Sequence, residues 1–345
     1  MPVPTSPAEA APVRVGLIGA GRIGVSHATL LARRVAGARL VAVADPRPGV
    51  AADVAESLGA RAEEDPAAIF AADDVEAVVI TASSTAHAEL VVAAARAGKA
   101  VFCEKPMAMS AEDAARAVAA ADEAGVSLQV GFNRRFDPGF AAAHDAIEAG
   151  RIGSVQLMRS LTRDPGLANP AGVPPWTIFT QTLIHDFDAL LWLNPGANAV
   201  SVHATADALV APEFKDAGLL DTAVVVIRFD NGAIATAEAS FSAAYGYDVR
   251  GEVFGSGGMV TAGDGSTSTR HLLTADGDTV ETSRSDTDLF AVAYTGELAA
   301  FCDAVRGGTE PVVTGRDAQR ALAIALACIE SVETGGTVDV KPVGA

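Results

Sequence analysis

Cysteine and histidine are scarce in this chain. It has 3 cysteines and 6 histidines in 345 residues, and neither type clusters. Cys103, Cys302 and Cys328 are too few and too scattered for a disulfide framework or a thiolate metal site. The histidines show no spacing, such as HExxH, that would place two imidazoles on one metal ion. We therefore expect reduced thiols, a cytoplasmic location and no metal.

Basic residues and long apolar runs are also lacking. Lys and Arg total 25 against 43 Asp and Glu, and the net charge of -18 would repel phosphate backbones and anionic lipids. No apolar run approaches the roughly 20 residues that span a bilayer. Residues 1–12 lack the basic start and apolar centre of a signal peptide, and we expect them to form a disordered tail. These absences predict no nucleic-acid partner and no membrane partner.

What the chain does contain is apolar material, 50% of all residues, in two successive patterns. Residues 13–128 alternate short β-branched runs with Ala-rich helical stretches. This order is typical of a parallel sheet with helices on both faces, and it predicts an α/β Rossmann domain. Residues 129–345 contain strand-like runs separated by Asn-Gly, Asp-Gly and Gly-Gly turns, which predict an α+β domain with a large antiparallel sheet.

Three helices are predicted from periodicity. The first covers 110–124 and begins with a capping-box pair, Ser110 and Asp113. The others cover about 289–305 and 316–333 and are expected to lie on one face of the antiparallel sheet. The other face would stay open, and an open apolar face predicts a homo-oligomer, a dimer or a tetramer.

A glycine-rich turn predicts a dinucleotide site. Gly19, Gly21 and Gly24 form GAGRIG between the strand-like VRVGLI and a helical stretch. In that context the first glycine permits the turn, the second lets backbone approach a pyrophosphate, and the third lets helix and strand pack closely. Asp45 ends the second strand, where a carboxylate accepts hydrogen bonds from ribose hydroxyls, which favours NAD. Arg47 could instead pair with a 2′-phosphate, so NADP remains an alternative.

Several segments carry a family resemblance. GAGRIG, the ADP at 44–46, AGKAVFCEKPMAMSAEDA and GRIGSV resemble the Gfo/Idh/MocA oxidoreductases over nearly the whole chain. VGFNRRFDPGF, the TRDP at 162–165, IHDFDALLWL and AYGYDVRGEVFG resemble the inositol 2-dehydrogenase branch, although related sugar dehydrogenases share several of them. The resemblance implies a Rossmann domain, an open-faced antiparallel sheet, often tetrameric assembly, and oxidation of a ring hydroxyl to a ketone.

Lys105 and His185 are the expected catalytic residues. Lys105 follows a predicted parallel strand at its ligand-binding end, and the resemblance implies contact with the nicotinamide ribose and the substrate oxygen. There a cation can stabilise negative charge that develops on oxygen; the alternative is a surface charge. Gln181, His185 and Asp188 are spaced to share a helix face that Trp192 extends. His185 suits proton transfer near neutral pH, although lone histidines are often structural.

Gln181 is a departure from the resemblance. The family usually has an aspartate four residues before this histidine. An amide can orient the imidazole ring but cannot stabilise its charged form. Asp186 is expected to point elsewhere, whereas Asp188 shares the face of His185 and could help.

Further binding residues follow from the turn and the resemblance. The spacing from Thr81 to His87 resembles the inositol branch, and the alternative is a loop whose Ser84 or Thr85 caps the next helix. The expected cofactor contacts are Gly19, Gly21, Arg22, Ile23, Gly24, Asp45, Arg47, Thr81, Ser83, His87, Glu104 and Lys105. A polyhydroxylated ring needs many polar contacts, and the expected ones are Arg134, Arg135, Arg163, Asp164, Asp188, Tyr245 and Tyr247. Each could instead be an ordinary salt bridge or sheet residue.

Three functions fit these observations. The first is an NAD-dependent dehydrogenase acting on a ring hydroxyl of a cyclitol or sugar, with Lys105 polarising the oxygen and His185 accepting the proton. The second is an epimerase or lyase that retains the nucleotide and works through a transient ketone. The third is a catalytically attenuated nucleotide-binding protein, suggested by Gln181.

Overall fold

The alternating runs near the N-terminus form a parallel sheet. The computed structural model describes residues 11–166, 169–263, 266–275 and 277–343, so most of the predicted tail lies outside the described residues. Two units can be distinguished. The first contains the described residues up to Met107, Ala115–Gly131 and Thr295–Gly315, and the second contains Ala108–Ala114, Phe132–Tyr294 and the residues from Arg316 onward.

The first unit is the predicted Rossmann fold. Its elements are β1 (Val13–Ile18), α1 (Arg22–Arg33), β2 (Ala38–Ala44), α2 (Val50–Leu58), β3 (Arg61–Glu63), α3 (Pro66–Ala71), β4 (Ala77–Ile80), α4 (His87–Arg96), β5 (Ala100–Glu104), α5 (Ala111–Ala124) and β6 (Leu128–Gly131). The six strands pair in parallel in the order β3-β2-β1-β4-β5-β6. Strand order reverses between β1 and β4, which is where open α/β sheets bind ligands. The sequence missed only β3 in this sheet, because three residues carry no readable pattern.

Helix α5 begins as predicted. The Ser110 hydroxyl accepts from the Asp113 backbone N–H at 3.1 Å and donates to the Asp113 carboxylate at 2.8 Å. These two bonds join the residues of the predicted capping-box pair at the start of the helix. The predicted helix is confirmed.

The second unit is built on a mixed sheet. The remaining elements of the chain, of which α9 lies mostly in the first unit, are α6 (Pro138–Glu148), β7 (Val155–Arg163), α7 (Ile184–Trp192), β8 (Ala199–Asp207), β9 (Thr222–Phe229), β10 (Ile234–Ser240), β11 (Asp248–Gly255), β12 (Gly258–Ala262), β13 (Ser266–Thr274), β14 (Gly277–Thr282), α8 (Asp286–Leu289), α9 (Ala291–Gly307), α10 (Gly315–Thr334) and β15 (Val338–Asp339). Seven strands pair in the order β12-β11-β7-β10-β9-β8-β15, and β13 pairs with β14 separately. Asp-Gly turns predicted at 264–265 and 276–277 lie wholly or partly outside the described residues.

Two expectations about this region need correction. β7 and β10 run parallel, so the sheet is not antiparallel throughout; the long connection through α7, β8 and β9 lets β10 return in the direction of β7. The helix predicted at 289–305 exists as α9, but from Thr295 it belongs to the first unit. Its Leu298 and Phe301 are fully buried in one core with residues of β1, β2, β4 and β5. Periodicity reveals an apolar helix face but not which sheet it covers.

One face of the mixed sheet is covered and the other is open. Helix α7 lies against β7 and β10, and Ser331 of α10 accepts a hydrogen bond from the β8 backbone at Ala204, at 2.9 Å. Large apolar side chains on the sheet are exposed: Leu157, Val200, Val224, Val226, Ile234, Phe254 and Met259. No helix among the described residues is long and apolar enough to cross a membrane.

Candidate active site

The glycine turn has the geometry of a phosphate cradle. Gly19 has φ +95°, a backbone conformation that residues with a side chain rarely adopt. A Cβ on Gly24 would lie 1.9 Å from the Gly19 carbonyl oxygen. Both glycines are therefore required by the chain itself. Gly21 differs, because its Cβ would meet none of the described atoms within 4 Å. Gly21 is also the N-cap of α1 and supplies no side-chain cap, so the first N–H groups of α1 are suited to bind an anion.

Thr81 and His87 stabilise this cradle from the next loop. The Thr81 hydroxyl donates to the Gly19 carbonyl at 2.6 Å. The His87 ring nitrogens lie 2.8 Å and 3.0 Å from the carbonyl oxygens of Pro106 and Ala82, and burial lowers the pKa of His87. These side chains hold the neighbouring loops together through backbone carbonyls, and the contact of both residues with the cofactor stays a prediction. Helix α4 starts without a side-chain cap, so the alternative that Ser84 or Thr85 caps it is wrong.

Asp45 follows β2 directly and is a buried carboxylate with an exposed partner, Arg47. It accepts from the Ala20 backbone N–H at 2.8 Å and from Nε and Nη2 of Arg47, each at 2.8 Å. The side-chain hydrogen bond from Arg47 lowers the pKa of Asp45 to about 2, although burial opposes the charge. The Arg47 side chain is 60% exposed, so it can leave without disturbing the core. This pair can accept ribose hydroxyls or, through Arg47, meet a phosphate.

The other residues predicted to contact the cofactor lie in the first unit as well. Arg22 and Ile23 are in the first turn of α1, and Ser83 is exposed before α4. Lys105 is half-buried directly after β5, at the carboxyl end of the sheet. Glu104 turns inward, where its carboxylate lies 2.8 Å from His27 Nε2 and accepts from the Lys105 backbone N–H at 3.1 Å. A contact of this carboxylate with the cofactor remains a prediction.

In the second unit, two neighbouring arginines form buried ion pairs with α7. Arg134 Nη1 lies 2.7 Å from Asp186, which also accepts from Ser160 and Thr162. Arg135 donates to both oxygens of Asp188, at 2.9 Å and 2.5 Å. Burial opposes the charge on Arg135, but Asp188 raises its pKa above the ordinary value. The Asp186 carboxylate is used by these three partners, and its orientation away from His185 stays a prediction.

The predicted polar stripe on α7 is only partly present. Gln181 lies in a π-helical turn (Ile178–Thr182) that ends before α7, and it therefore does not share a regular helix face with His185. Asp188 is 1% exposed and paired with Arg135, whereas Trp192 stacks on His144 with ring centroids 4.1 Å apart. His185 is half-buried and makes an edge contact with Phe132. A π-turn is invisible to arguments based on helical spacing, and such turns are frequent at functional sites.

A polar cluster gathers other predicted substrate residues. The Tyr245 hydroxyl donates to Asp248 at 2.7 Å, and Arg163 Nη1 lies 3.3 Å from that hydroxyl. Asp164 follows β7 directly, and its backbone bonds to Ser240 and Ala243. Tyr247, by its backbone N–H, binds the Ser283 carbonyl at 2.7 Å. The structure thus brings Arg163 and Tyr245 together and adds Asp248, which sequence reasoning missed.

Family models match both units. The model of an oxidoreductase family with an NAD-binding Rossmann fold matches residues 13–132, and the model of its C-terminal alpha/beta domain matches residues 144–340. The chain belongs to the Gfo/Idh/MocA oxidoreductase family. Its fold class, its NAD-binding domain and its character as an oxidoreductase, all expected from the sequence, are therefore confirmed.

Several relatives of this Gfo/Idh/MocA protein are named as inositol dehydrogenases. The inositol 2-dehydrogenase of Rhizobium meliloti is 41% identical over 326 residues, which cover 93% of this chain and 97% of the relative. The scyllo-inositol 2-dehydrogenase (NAD(+)) of Bacillus subtilis is 38% identical, with 95% and 97% covered. The scyllo-inositol dehydrogenase of Lactobacillus casei, solved with NAD(H) and scyllo-inositol, has a TM-score of 0.91 at 27% identity, with 95% and 99% covered.

Two further groups in this family member escaped the sequence reasoning. Asp317 lies 3.1 Å from Arg135, and Glu297 lies 3.7 Å from His27. Both pairs join residues far apart in the chain, so no local spacing could have indicated them. The signal that the sequence does contain is an acidic residue within an apolar helical stretch, Glu297 in AVAYTGELAAF.

Proposed function

We propose that this chain is an NAD-dependent dehydrogenase that oxidises a ring hydroxyl of an inositol-type cyclitol to a ketone. The observation that carries the proposal is the uncapped α1 N-terminus at Gly21, which leaves backbone donors for a pyrophosphate beside the Asp45 carboxylate. The substrate class is supported by the relatives named as inositol dehydrogenases.

The chain's own groups divide the remaining chemistry. Bound NAD supplies the hydride acceptor. Lys105 provides a positive charge that stabilises negative charge developing on the substrate oxygen. His185 accepts the hydroxyl proton, which an imidazole does well near neutral pH. Gln181 orients that ring as a neutral amide.

The polyol is expected to contact the cluster around Tyr245. Arg163 offers donors, Asp248 offers acceptors, and the Tyr245 hydroxyl offers both. Asp164 lies next to Arg163 at the end of β7. By contrast, we propose that Arg135 and Asp188 act mainly through their buried ion pair, which holds α7 and therefore His185 in place.

The test is formation of reduced nicotinamide, followed by its near-ultraviolet absorbance, with NAD and separately NADP, across inositols, amino-cyclitols and pyranoses. We expect a signal with NAD and an inositol. Lys105→Met should lower turnover by roughly 10²-fold or more, whereas the matched control Lys341→Met, at an exposed lysine, should not. Silence across the panel despite tight NAD binding would contradict the proposal.

Gln181 bears on the alternatives. The relatives named above are dehydrogenases, which favours net oxidation over epimerisation, elimination or loss of catalysis. Accumulation of NADH with excess NAD distinguishes oxidation from a net non-redox reaction. We expect Gln181→Asp to retain or increase turnover, because a carboxylate stabilises imidazolium. Loss of turnover in this variant would mean that the π-turn requires the amide.

We also propose a homo-oligomer formed through the open sheet face. Met259, Phe254, Leu157 and Ile234 are successive register neighbours across β12, β11, β7 and β10 and are each at least 41% exposed. An apolar strip this long favours burial against a second copy. Phe254→Arg should reduce the mass measured by light scattering, whereas Val292→Arg, at an exposed apolar residue outside the sheet, should not. An unchanged mass for Phe254→Arg would count against this interface.

A cytoplasmic location is part of the proposal. It is supported by Cys103, Cys302 and Cys328, which are all free and buried. Burial raises the pKa of each thiol, that of Cys302 to about 12, and these thiols therefore resist oxidation.

A further inference from the structure

Behind Lys105 lies a buried group of two carboxyls and an imidazole. His27 comes from α1, Glu104 ends β5 and Glu297 lies on α9. The His27 and Glu297 side chains are fully buried and that of Glu104 is 8% exposed. His27 Nε2 is 2.8 Å from a Glu104 oxygen and 3.7 Å from a Glu297 oxygen. We name these three residues the buried acid cluster.

The two carboxyls differ in their hydrogen bonds. Glu104 uses both oxygens, one toward His27 and the other toward the Lys105 backbone N–H. Neither carboxyl oxygen of Glu297 has a hydrogen-bond partner among the residues that the structure describes. A buried carboxylate without donors costs several kcal/mol, whereas the protonated acid costs far less. The negative charge therefore belongs on Glu104 and the proton on Glu297.

The electrostatics agree with this assignment. Burial opposes the charge on Glu104, but His27 and the positive charge of Lys105 hold its pKa below the ordinary value. Burial raises the pKa of Glu297 far above its ordinary value, and the charge of Glu104 raises it further. The charge of Lys105 acts on both carboxyls, and His87 also lowers the pKa of Glu104. The charge of Glu104 in turn adds to burial in raising the pKa of the Cys103 thiol.

The distances favour a proton over a metal ion. Three donor atoms of the buried acid cluster lie within 4.8 Å of one another, a set that could hold a cation. Yet His27 Nε2 and Glu104 are 2.8 Å apart, a direct hydrogen bond. Tetrahedral ligands at roughly 2.0 Å from zinc would be about 3.3 Å apart. The distance between these two atoms is therefore that of a direct hydrogen bond and too short for two ligands of one zinc ion.

The fold also makes room for this carboxylate. A Cβ on Gly131, at the end of β6, would lie 3.1 Å from the Glu104 carboxyl carbon and 3.2 Å from each oxygen. These distances are tighter than most contacts of a real Cβ, and the buried carboxylate has little freedom to move. Because Gly131 has no Cβ, the Glu104 carboxylate has room to accept the hydrogen bond from the Lys105 backbone N–H.

We propose that Glu104 is a positioning residue that holds Lys105 in place and supplies its counter-charge, while Glu297 stays protonated so that the two carboxyls carry one negative charge between them. The inference rests on the proposed role of Lys105. Burial by cofactor and substrate would favour a neutral lysine, and one nearby carboxylate opposes that change. A second carboxylate would bind the ammonium more strongly and weaken its response to the substrate oxygen.

Four lysines make a direct measurement practical. Lys99, Lys105, Lys215 and Lys341 are the complete set, so carbon-13 reductive methylation, which retains the charge, gives few NMR signals to titrate. The Lys105→Arg variant identifies the Lys105 signal. In Glu104→Gln we expect the pKa of Lys105 to fall by about 1–3 units, and the alkaline limb of the pH–turnover profile to move down with it. KM for NAD should change less than turnover.

Glu297→Gln separates the two carboxyls. Because an amide replaces a neutral acid, the Lys105 titration should shift by less than about half a unit, as in the control Glu310→Gln at an exposed carboxylate. If the pKa of Lys105 falls as much in Glu297→Gln as in Glu104→Gln, the assignment of a single negative charge to the two carboxyls is overturned. A stoichiometric metal in the purified wild-type protein would overturn it as well.

Two controls keep the outcomes separate. If Glu104→Gln does not fold, Glu104→Asp is the fallback, because it retains the charge on a shorter side chain. The pKa of Lys105 should then change little while turnover falls. A large fall of the Lys105 pKa in Glu104→Asp would count against the counter-charge role. The NMR titration does not require catalysis. Normal titration behaviour with no inositol oxidation would reject the proposed function alone, whereas active enzyme with an unchanged Lys105 pKa in Glu104→Gln would reject this inference alone.

Discussion

Replacing Asp45 with asparagine should move the cofactor preference from NAD toward NADP. Asp45 is ionised, with a pKa of about 2, and receives hydrogen bonds from Ala20 and Arg47. A hydrogen bond to a charged group contributes about 1.5–3 kcal/mol, so losing the carboxylate should lower kcat/KM for NAD roughly 10- to 150-fold. NADP should gain about 1 kcal/mol or more, because repulsion of its 2′-phosphate disappears and Arg47 is released.

The two effects together predict a change of about 10²- to 10³-fold in the ratio of kcat/KM for NADP and NAD. The measurement is initial rates of reduced-nicotinamide formation with each cofactor at saturating inositol. Asp74→Asn is the matched control, since Asp74 forms a similar two-bond pair with Arg61, at 2.6 Å and 3.0 Å. A ratio that moves by less than about tenfold in Asp45→Asn, or equally in the control, would refute the reasoning.

Other substitutions test the cradle, the ion pairs and the loop. Gly24→Ala should lower the melting temperature sharply, because its Cβ would lie 1.9 Å from a carbonyl oxygen. Gly21→Ala should keep the melting temperature and weaken NAD binding. Calorimetry measures both quantities, and an equal loss of melting temperature in the two variants would contradict the different roles of these glycines. Asp188→Asn removes one of two acidic partners of the buried Arg135 and leaves Asp317, 3.1 Å away, so it should lower the free energy of unfolding in urea by about 1–3 kcal/mol; a loss below about 0.5 kcal/mol would be inconsistent with the pair. Burial lowers the pKa of His87 below the 6.5 expected in the unfolded chain. As pH falls through 6.5, the unfolded chain therefore takes up a proton that the folded protein does not, and the free energy of unfolding decreases. His87→Gln should therefore lose less stability than the wild type between about pH 7.5 and 5.5, which urea midpoints would show.

Local pattern was sufficient for much of the fold. The strands β1, β2, β4, β5 and β6 were predicted because each is a buried apolar run bounded by helical sequence. The glycine turn was predicted because its three glycines have separate local tasks. By contrast, β3 and β15 are too short to read, and the parallel pairing of β7 with β10 depends on the path of a long connection.

The candidate site shows the same difference between features set by local sequence and features set by packing. Sequence alone determined the Rossmann domain, the glycine turn at Gly19, Gly21 and Gly24, and the position of Lys105 at a strand end, since these depend on neighbours within a few residues. Only the tertiary structure decided that α9 packs in the first unit and that Glu297 lies beside Glu104. Contacts between residues nearly two hundred positions apart arise from packing of whole elements, and no periodicity along the chain records which elements meet.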